Sequence, residues 1–142
     1  MPSRLGRRWS HRSAGVDQTL RLAQLTGLHG VFGNAMDYSG GEYGEAILSR
    51  FPIAEYRAHP LPFTEGREPR AALAARIVPD NGLPEFVLIG THLCHQDESL
   101  RLQQVTEINA LFPPSGAAPV ILAGDLNARR GSPPMEELLE AR

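Results

Sequence analysis

The amino-acid sequence predicts a layered domain that mixes helices and strands, of the α/β or α+β class. The first reason is the order in which hydrophobic periodicity changes along the chain: helix, several strands, helix, strand, helix, with no internal repeat. The second is size and composition. The chain has 142 residues, one domain's worth and enough to bury about two thirds of the unfolded surface, and its 42% apolar content is that of an ordinary globular protein. The third is its 14 glycines and 12 prolines, which imply many turns and a loop-rich fold.

The elements follow in order. Residues 1–14 have no period and hold Arg4, Arg7, Arg8 and Arg12 without an acid among them, so they read as a poorly ordered Arg-rich arm, with the domain at 15–142. Val16, Leu20, Ala23 and Leu28, with Leu22 and Leu25 beside them, make a helical stripe that Gly27 or Gly30 can end. Val31 and Phe32 suggest a short strand running into a loop at 37–42. Residues 43–50 read as a strand, Phe51-Pro52 breaks it, and a second extended piece at 53–58 completes a hairpin-like pair. Pro60, Pro62, Gly66 and Pro69 mark a long loop. Residues 71–78 and 86–93 are strands joined by the turn Pro79-Asp80-Asn81-Gly82. Residues 97–112 form the clearest helix, with Val105, Ile108 and Phe112 on one stripe, and Pro113-Pro114 stops it. Residues 119–123 are a short buried-type strand. Ser132-Pro133 followed by Glu136-Glu137 opens a last helix that has barely begun at Arg142, so an incomplete domain is expected.

Charge and cysteine usage narrow the function classes. All 14 basic residues are arginine, a bias of GC-rich coding from which no function is drawn. The formal net charge is −2, and outside the arm acids outnumber arginines, unlike the basic footprint of a dedicated nucleic-acid binder. The single cysteine, Cys94, excludes an internal disulfide framework and a Cys-based zinc cluster, and reads as a small buried apolar residue. No run approaches the roughly 18 apolar residues of a membrane span, and no apolar segment follows the Arg-rich start as in a secretory signal. A cytoplasmic location is expected, with export open if the true start lies upstream.

Four places carry candidate chemistry. Gly124-Asp125-Leu126-Asn127 follows an apolar strand; if the extended conformation persists, Asp125 and Asn127 point to one side, and Gly124 lets a ligand approach closely. The alternative is an ordinary turn or helix cap. His92, at the end of the preceding strand, is suited to proton donation or to a phosphate oxygen, or else is a hydrogen-bonded structural residue. A metal shared with His95 requires a turn after Leu93, because a spacing of three on a strand sends the rings to opposite faces. Tyr43, Glu45, Ile47 and Ser49 share one strand face, which lines a cleft or faces solvent. Arg67 and Arg70 are suited to bidentate phosphate contacts, or are ordinary exposed charges.

Taken together, the run from Tyr43-Gly44-Glu45 through Ser49-Arg50-Phe51-Pro52-Ile53, then Arg67-Glu68-Pro69-Arg70, then Thr91-His92-Leu93 with Arg101 and Gln104 on the next helix, then Gly124-Asp125-Leu126-Asn127, resembles the endonuclease/exonuclease/phosphatase superfamily in order and spacing, over residues 15–137. Members include deoxyribonuclease-like and abasic-site nucleases, sphingomyelinases and inositol polyphosphate phosphatases. The resemblance implies the central portion of a four-layer α/β sandwich with two β-sheets, and a hydrolase that cleaves phosphate mono- or diesters with Mg2+ or Mn2+. It implies that Asp125 orients or deprotonates the attacking water, that Asn127 hydrogen-bonds a phosphoryl oxygen, and that His92 stabilises that group or the leaving oxygen. It also implies substrate contacts from Tyr43, Arg67 and Arg70, the substrate being a nucleic acid, a phospholipid or a small phosphoester.

The sequence departs from that pattern at both ends. An intact family domain has roughly 250 residues; its opening Asn strand and the Gln-Glu pair whose Glu binds the metal are absent before Gly15, and its closing Ser-Asp-His is absent after Asn127. Asp125 is then the metal-binding candidate that remains. Many bacterial relatives carry Asn where this chain has Glu45, and a carboxylate there is expected to orient His92 by accepting its hydrogen bond and favouring its protonated form. The rival expectation is a catalytically inactive remnant, or a pseudoenzyme that binds phosphate through Arg67 and Arg70.

Overall fold

The computed structural model describes residues 14–141, so the Arg-rich arm lies almost entirely outside the described residues. Helix α1 spans Gln18–Thr26. Asp17 caps it by accepting the Leu20 N–H at 2.9 Å, and Gly27 ends it in the left-handed region at φ +71. The expected apolar stripe is not a core: Val16, Leu20, Leu22 and Leu25 are 45–64% exposed. The helix rests on the side that holds buried Thr19 and, from the expected stripe, half-buried Ala23, whose methyl would lie 3.0 Å from a Cβ placed at Gly30. Polar and small residues make that contact because a glycine strand face leaves room only for close, small neighbours.

Strands β1 (His29–Tyr38) and β2 (Gly41–Ser49) form an antiparallel two-stranded sheet. Two sequence expectations are corrected here. The first strand is ten residues long, and the expected loop at 37–42 shrinks to Ser39-Gly40, both at positive φ, the tight turn whose twist matches the strands it joins. Strand β2 therefore pairs with β1, whereas β3 (Ile53–Pro60) belongs to the other sheet. The break at Phe51-Pro52 carries the chain from one sheet to the next, held by Phe51 N–H on Ser49 Oγ and Val78 N–H on the Pro52 carbonyl.

The second sheet has the order β3-β4-β5-β6, with β4 at Ala71–Ile77, β5 at Phe86–His92 and β6 at Val120–Asp125. The first three strands are antiparallel neighbours, and β6 joins β5 in parallel after the crossover through α2 (Glu98–Leu111). Helix α2 begins at Asp97, whose side chain accepts the Leu100 N–H, and α3 runs over Pro133–Glu140.

Alternation on the central strand builds two cores. Leu73, Ala75 and Ile77 face the hairpin and pack with Val31 and Ile47. Ala72 and Ala74, with Ile89, face Val105 and Ile108 of α2 and Leu138 of α3. The molecule is thus a sandwich of α1, hairpin, four-stranded sheet and the α2–α3 pair, the four layers anticipated above. Small residues on β1 and β3 let the layers approach, as at Gly33, where a Cβ would lie 2.8 Å from that of Ala58.

Gly124 sits at φ +145, and a Cβ there would collide with the Thr91 carbonyl of the adjacent strand. Its freedom from a side chain serves the strand pairing, and the expectation that it admits a ligand is corrected. Gly124→Ala is expected to cost about 3 kcal/mol or more in urea denaturation, against about 1 kcal/mol for Gly82→Ala, which stands in open space at φ +82.

Candidate functional site

The candidate residues meet where β5 and β6 end, under the inner face of β2. The parallel register sets His92 opposite Asp125, with His92 Nε2 at 3.9 Å from Asp125 Oδ2. Asn127 reaches the same place by a turn, because β6 stops at Asp125 and Asn127 adopts φ +47. Its backbone N–H donates to Asp125 Oδ1 at 2.9 Å, and its side-chain Nδ2 donates to the Leu93 carbonyl at 2.9 Å. The Leu93 N–H in turn donates to the Asp125 carbonyl. Persistence of the strand, the expected cause of their convergence, is therefore replaced by a side chain-to-backbone turn of the kind Asp readily forms. Beyond it lies a shallow concavity of about 850 Å³ lined by Asp125, Asn127, Arg129 and Met135.

Three more residues approach from neighbouring elements. The Tyr43 hydroxyl lies 3.4 Å from His92 Nδ1. Glu45 stands two positions along the same face of β2, over Gly90 of β5, where a Cβ would come 4.0 Å from its own. Arg70, just before β4, is 2% exposed in its side chain; its Nη2 donates to Glu68 Oε2 at 2.7 Å and lies 3.4 Å from His95 Nδ1. Its Nε and Nη1 are buried with no hydrogen-bond partner. Arg67 is not drawn in: its Nε is 4.0 Å from Asp97 Oδ2 at the start of α2, and its side chain is partly exposed.

The electrostatics correct one expectation. Burial raises the Glu45 carboxyl above its ordinary value, an effect that the Arg70 charge opposes. His92 is lowered, first by burial and then by Arg70, against the raising influence of Asp125 and Glu68. At neutral pH the imidazole is accordingly neutral, and its approach to Asp125 is not an ion pair. The nitrogens of His92 face Tyr43 and Asp125, so Glu45 neither accepts its hydrogen bond nor favours its protonated form.

Sequence reading missed how the loops are held. Gln104 is fully buried on α2; its Oε1 accepts the Cys94 N–H at 2.9 Å and its Nε2 donates to the Pro62 carbonyl at 3.0 Å. Arg101 Nη1 donates to the Cys94 carbonyl at 2.8 Å. The available signal was a glutamine beside the Val105 and Ile108 stripe of an amphipathic helix. His95 meets Arg70, and among the described residues it gathers with His92 in no metal cluster.

A hard divalent cation takes oxygen ligands and often only one or two carboxylates, keeping waters and taking the rest from substrate phosphates. Asp125, 64% exposed in its side chain, fits one such position. The fit is partial, since among the described residues no three His, Cys, Asp or Glu side chains gather as a metal cluster.

The model of the Endonuclease/Exonuclease/phosphatase family matches residues 9–142, so the chain belongs to that family. It is 33% identical over 99 residues to the uncharacterised protein YbhP of Escherichia coli K12, covering 68% of this chain and 38% of that one. Among solved structures, an endonuclease/exonuclease/phosphatase family protein of Bacteroides thetaiotaomicron superposes with a TM-score of 0.75 at 20% identity, covering 88% of this chain and 51% of that one. The mannosyl-6-phosphatase of the same organism gives 0.71 at 19% identity, covering 87% and 52%. The chain thus spans less than half the length of the curated relative and about half that of the structures that share its fold.

A histidine NMR titration tests the electrostatic reading. His92 is expected to titrate below the ordinary 6.5, Asp125→Asn to lower it further, and Glu45→Gln to leave it in place. The sign for stability follows: His92 and His59 are both lowered in the folded chain, so the stability they carry is complete above about 6.5 and is lost as pH falls through their folded values. A His92 midpoint above 6.5 contradicts this reading.

Proposed function

We propose that the chain carries the phosphoryl-binding and water-activating part of a phosphate-ester hydrolase. The observation that supports it best is the convergence of His92, Asp125 and Asn127 at the paired ends of β5 and β6, beside a buried guanidinium with two unpaired donors. Buried donors without an acceptor cost on the order of 1–3 kcal/mol each, a cost that a phosphoryl oxygen would offset. Arg70 is thus the anchor for the anion, and Arg67 a more distant contact from the loop before it.

In this reading a water attacks phosphorus as the ester P–O bond opposite it breaks. Asp125, exposed to the concavity, orients the water and accepts its proton. The Asn127 amide and the neutral His92 imidazole donate hydrogen bonds to oxygens that gain charge, and Tyr43 holds the orientation of the His92 ring. Magnesium or manganese, held in part by Asp125, would supply charge neutralisation at the phosphoryl oxygens when bound. The excess of acids over arginines disfavours long polyanions and so favours a small phosphate ester over a nucleic acid. No helix among the described residues is long and apolar enough to cross a membrane.

A second reading is phosphate binding without turnover, favoured by the single carboxylate at the metal position and the absence of a metal cluster among the described residues. Hydrolysis of p-nitrophenyl phosphate and bis(p-nitrophenyl) phosphate in magnesium separates the two. Turnover that falls about 100-fold or more in Asp125→Ala and in His92→Ala supports the hydrolase. Full activity in Asp125→Ala contradicts its assigned role, and phosphate binding with no turnover supports the second reading.

A further inference from the structure

The hairpin of β1 and β2 does more than cover the sheet beneath it. By alternation its inner face carries Val31, Gly33, Met36 and Tyr38 on one strand and Ile47, Glu45 and Tyr43 on the other, a column confirmed by the pairs Val31 with Ile47, Gly33 with Glu45 and Met36 with Tyr43. Val31 and Ile47 lie in the core between the sheets, and Gly33 is pressed against Ala58 and Leu73. Beyond Gly33 the register shifts between Asn34 and Met36. A bulge of this kind bends and twists a strand and re-aims the side chains that follow it. Between the bulge and the turn no described residue of β1 joins either core cluster, and the tip overhangs the site where Tyr43 reaches His92.

Two aromatic rings occupy the inner side of that overhang. Tyr43 touches His92 through its hydroxyl. Tyr38 is paired with Gly41, which has no side chain to cover it, and its ring leans diagonally onto Tyr43 with centroids 6.1 Å apart and planes tilted by 58°. Tyr38 nonetheless stays 41% exposed. The turn at Ser39-Gly40 is a two-residue connection, which holds this projection in a fixed twist. From the imidazole outward the order is therefore His92, Tyr43, Tyr38, with the last ring open to solvent one ring's length past the site.

We propose that Tyr38, backed by Tyr43, is a specificity-determining wall that stacks on a ring in the ester portion of the substrate and selects ring-bearing phosphate esters over open-chain ones. The proposal rests on the reading of His92, Asn127 and Arg70 as the phosphoryl site. With the phosphate at those donors, the organic part that extends along the hairpin meets first Tyr43 and then the open face of Tyr38. A flat ring or the C–H face of a sugar ring gains from such a surface, whereas a flexible chain loses rotational freedom against it.

The chain has three tyrosines, so their ring signals can be followed separately by NMR, with Tyr56, exposed on β3, as the internal control. Inorganic phosphate is expected to shift the His92 signals and to leave the Tyr38 ring in place. Phenyl phosphate is expected to shift His92 and, by ring current, Tyr38, to leave Tyr56 in place, and to bind about fivefold more tightly; glycerol 3-phosphate should behave as inorganic phosphate does. Tyr38→Ser should remove the fivefold preference, Tyr38→Phe should keep it, and Tyr56→Ser should not touch it. If phosphate shifts His92 but phenyl phosphate neither moves Tyr38 nor gains affinity, the wall is overturned while the phosphoryl site stands. If no phosphate compound shifts His92, the phosphoryl site itself fails and the wall falls with it.

Discussion

The site depends on the parallel pairing of β5 and β6 at their last residues. That pairing brings Thr91 against Gly124 and His92 against Asp125, and the strands can close only because Gly124 lacks a Cβ where the Thr91 carbonyl sits. The chain then leaves both strands together. Leu93 donates to the Asp125 carbonyl, and the Asn127 side chain donates back to the Leu93 carbonyl, so two loops that would otherwise diverge are joined by backbone and amide hydrogen bonds. In that frame the placing of His92 and Asp125 is a consequence of one sheet register, with Asn127 brought in by the turn that follows, and a slip by one residue would turn His92 to the other face.

Around this frame the protein keeps charge in places where burial makes it expensive. Arg70 is buried with its single carboxylate partner, Glu68, partly exposed, and two of its donor atoms lack acceptors. Glu45 is held near it and is harder to ionise than a carboxyl in water. The same guanidinium lowers His92. A buried charge of this kind is weak support for stability, and under the proposed function it is preorganisation for an anion. Gln104 anchors this region from behind by tying the loop after β5 to the loop before β4.

Much of the fold was legible in the residues. The capped helix α2, the turn that separates β4 from β5 and the strand β6 follow from periodicity and from Pro, Gly and Asp at their ends, because each of those signals acts within a few residues, although β6 is half to fully exposed and not the buried strand its apolar run suggests. The strand partners were less legible. The sequence near Phe51-Pro52 gives the same break whether the next strand turns back beside β2 or crosses to another sheet, and only the packing of Ile53 against the inter-sheet core distinguishes them. The α1 stripe misled for a related reason: its leucines have helical spacing, but the face that meets β1 is the one with small and polar side chains. Within the site, residue types were readable and contacts were not. Nothing local to Glu45 says that His92 will face Tyr43 and Asp125 instead, since those distances are set by sheet register and by layer stacking.

A crystal structure of the chain grown with magnesium and orthovanadate tests the central claim most directly. Vanadate oxygens are expected within hydrogen-bonding distance of His92, Asn127 and the unpaired donors of Arg70, with Asp125 beside the metal. Vanadate bound elsewhere on the molecule, with Asp125 and Asn127 untouched, would contradict it.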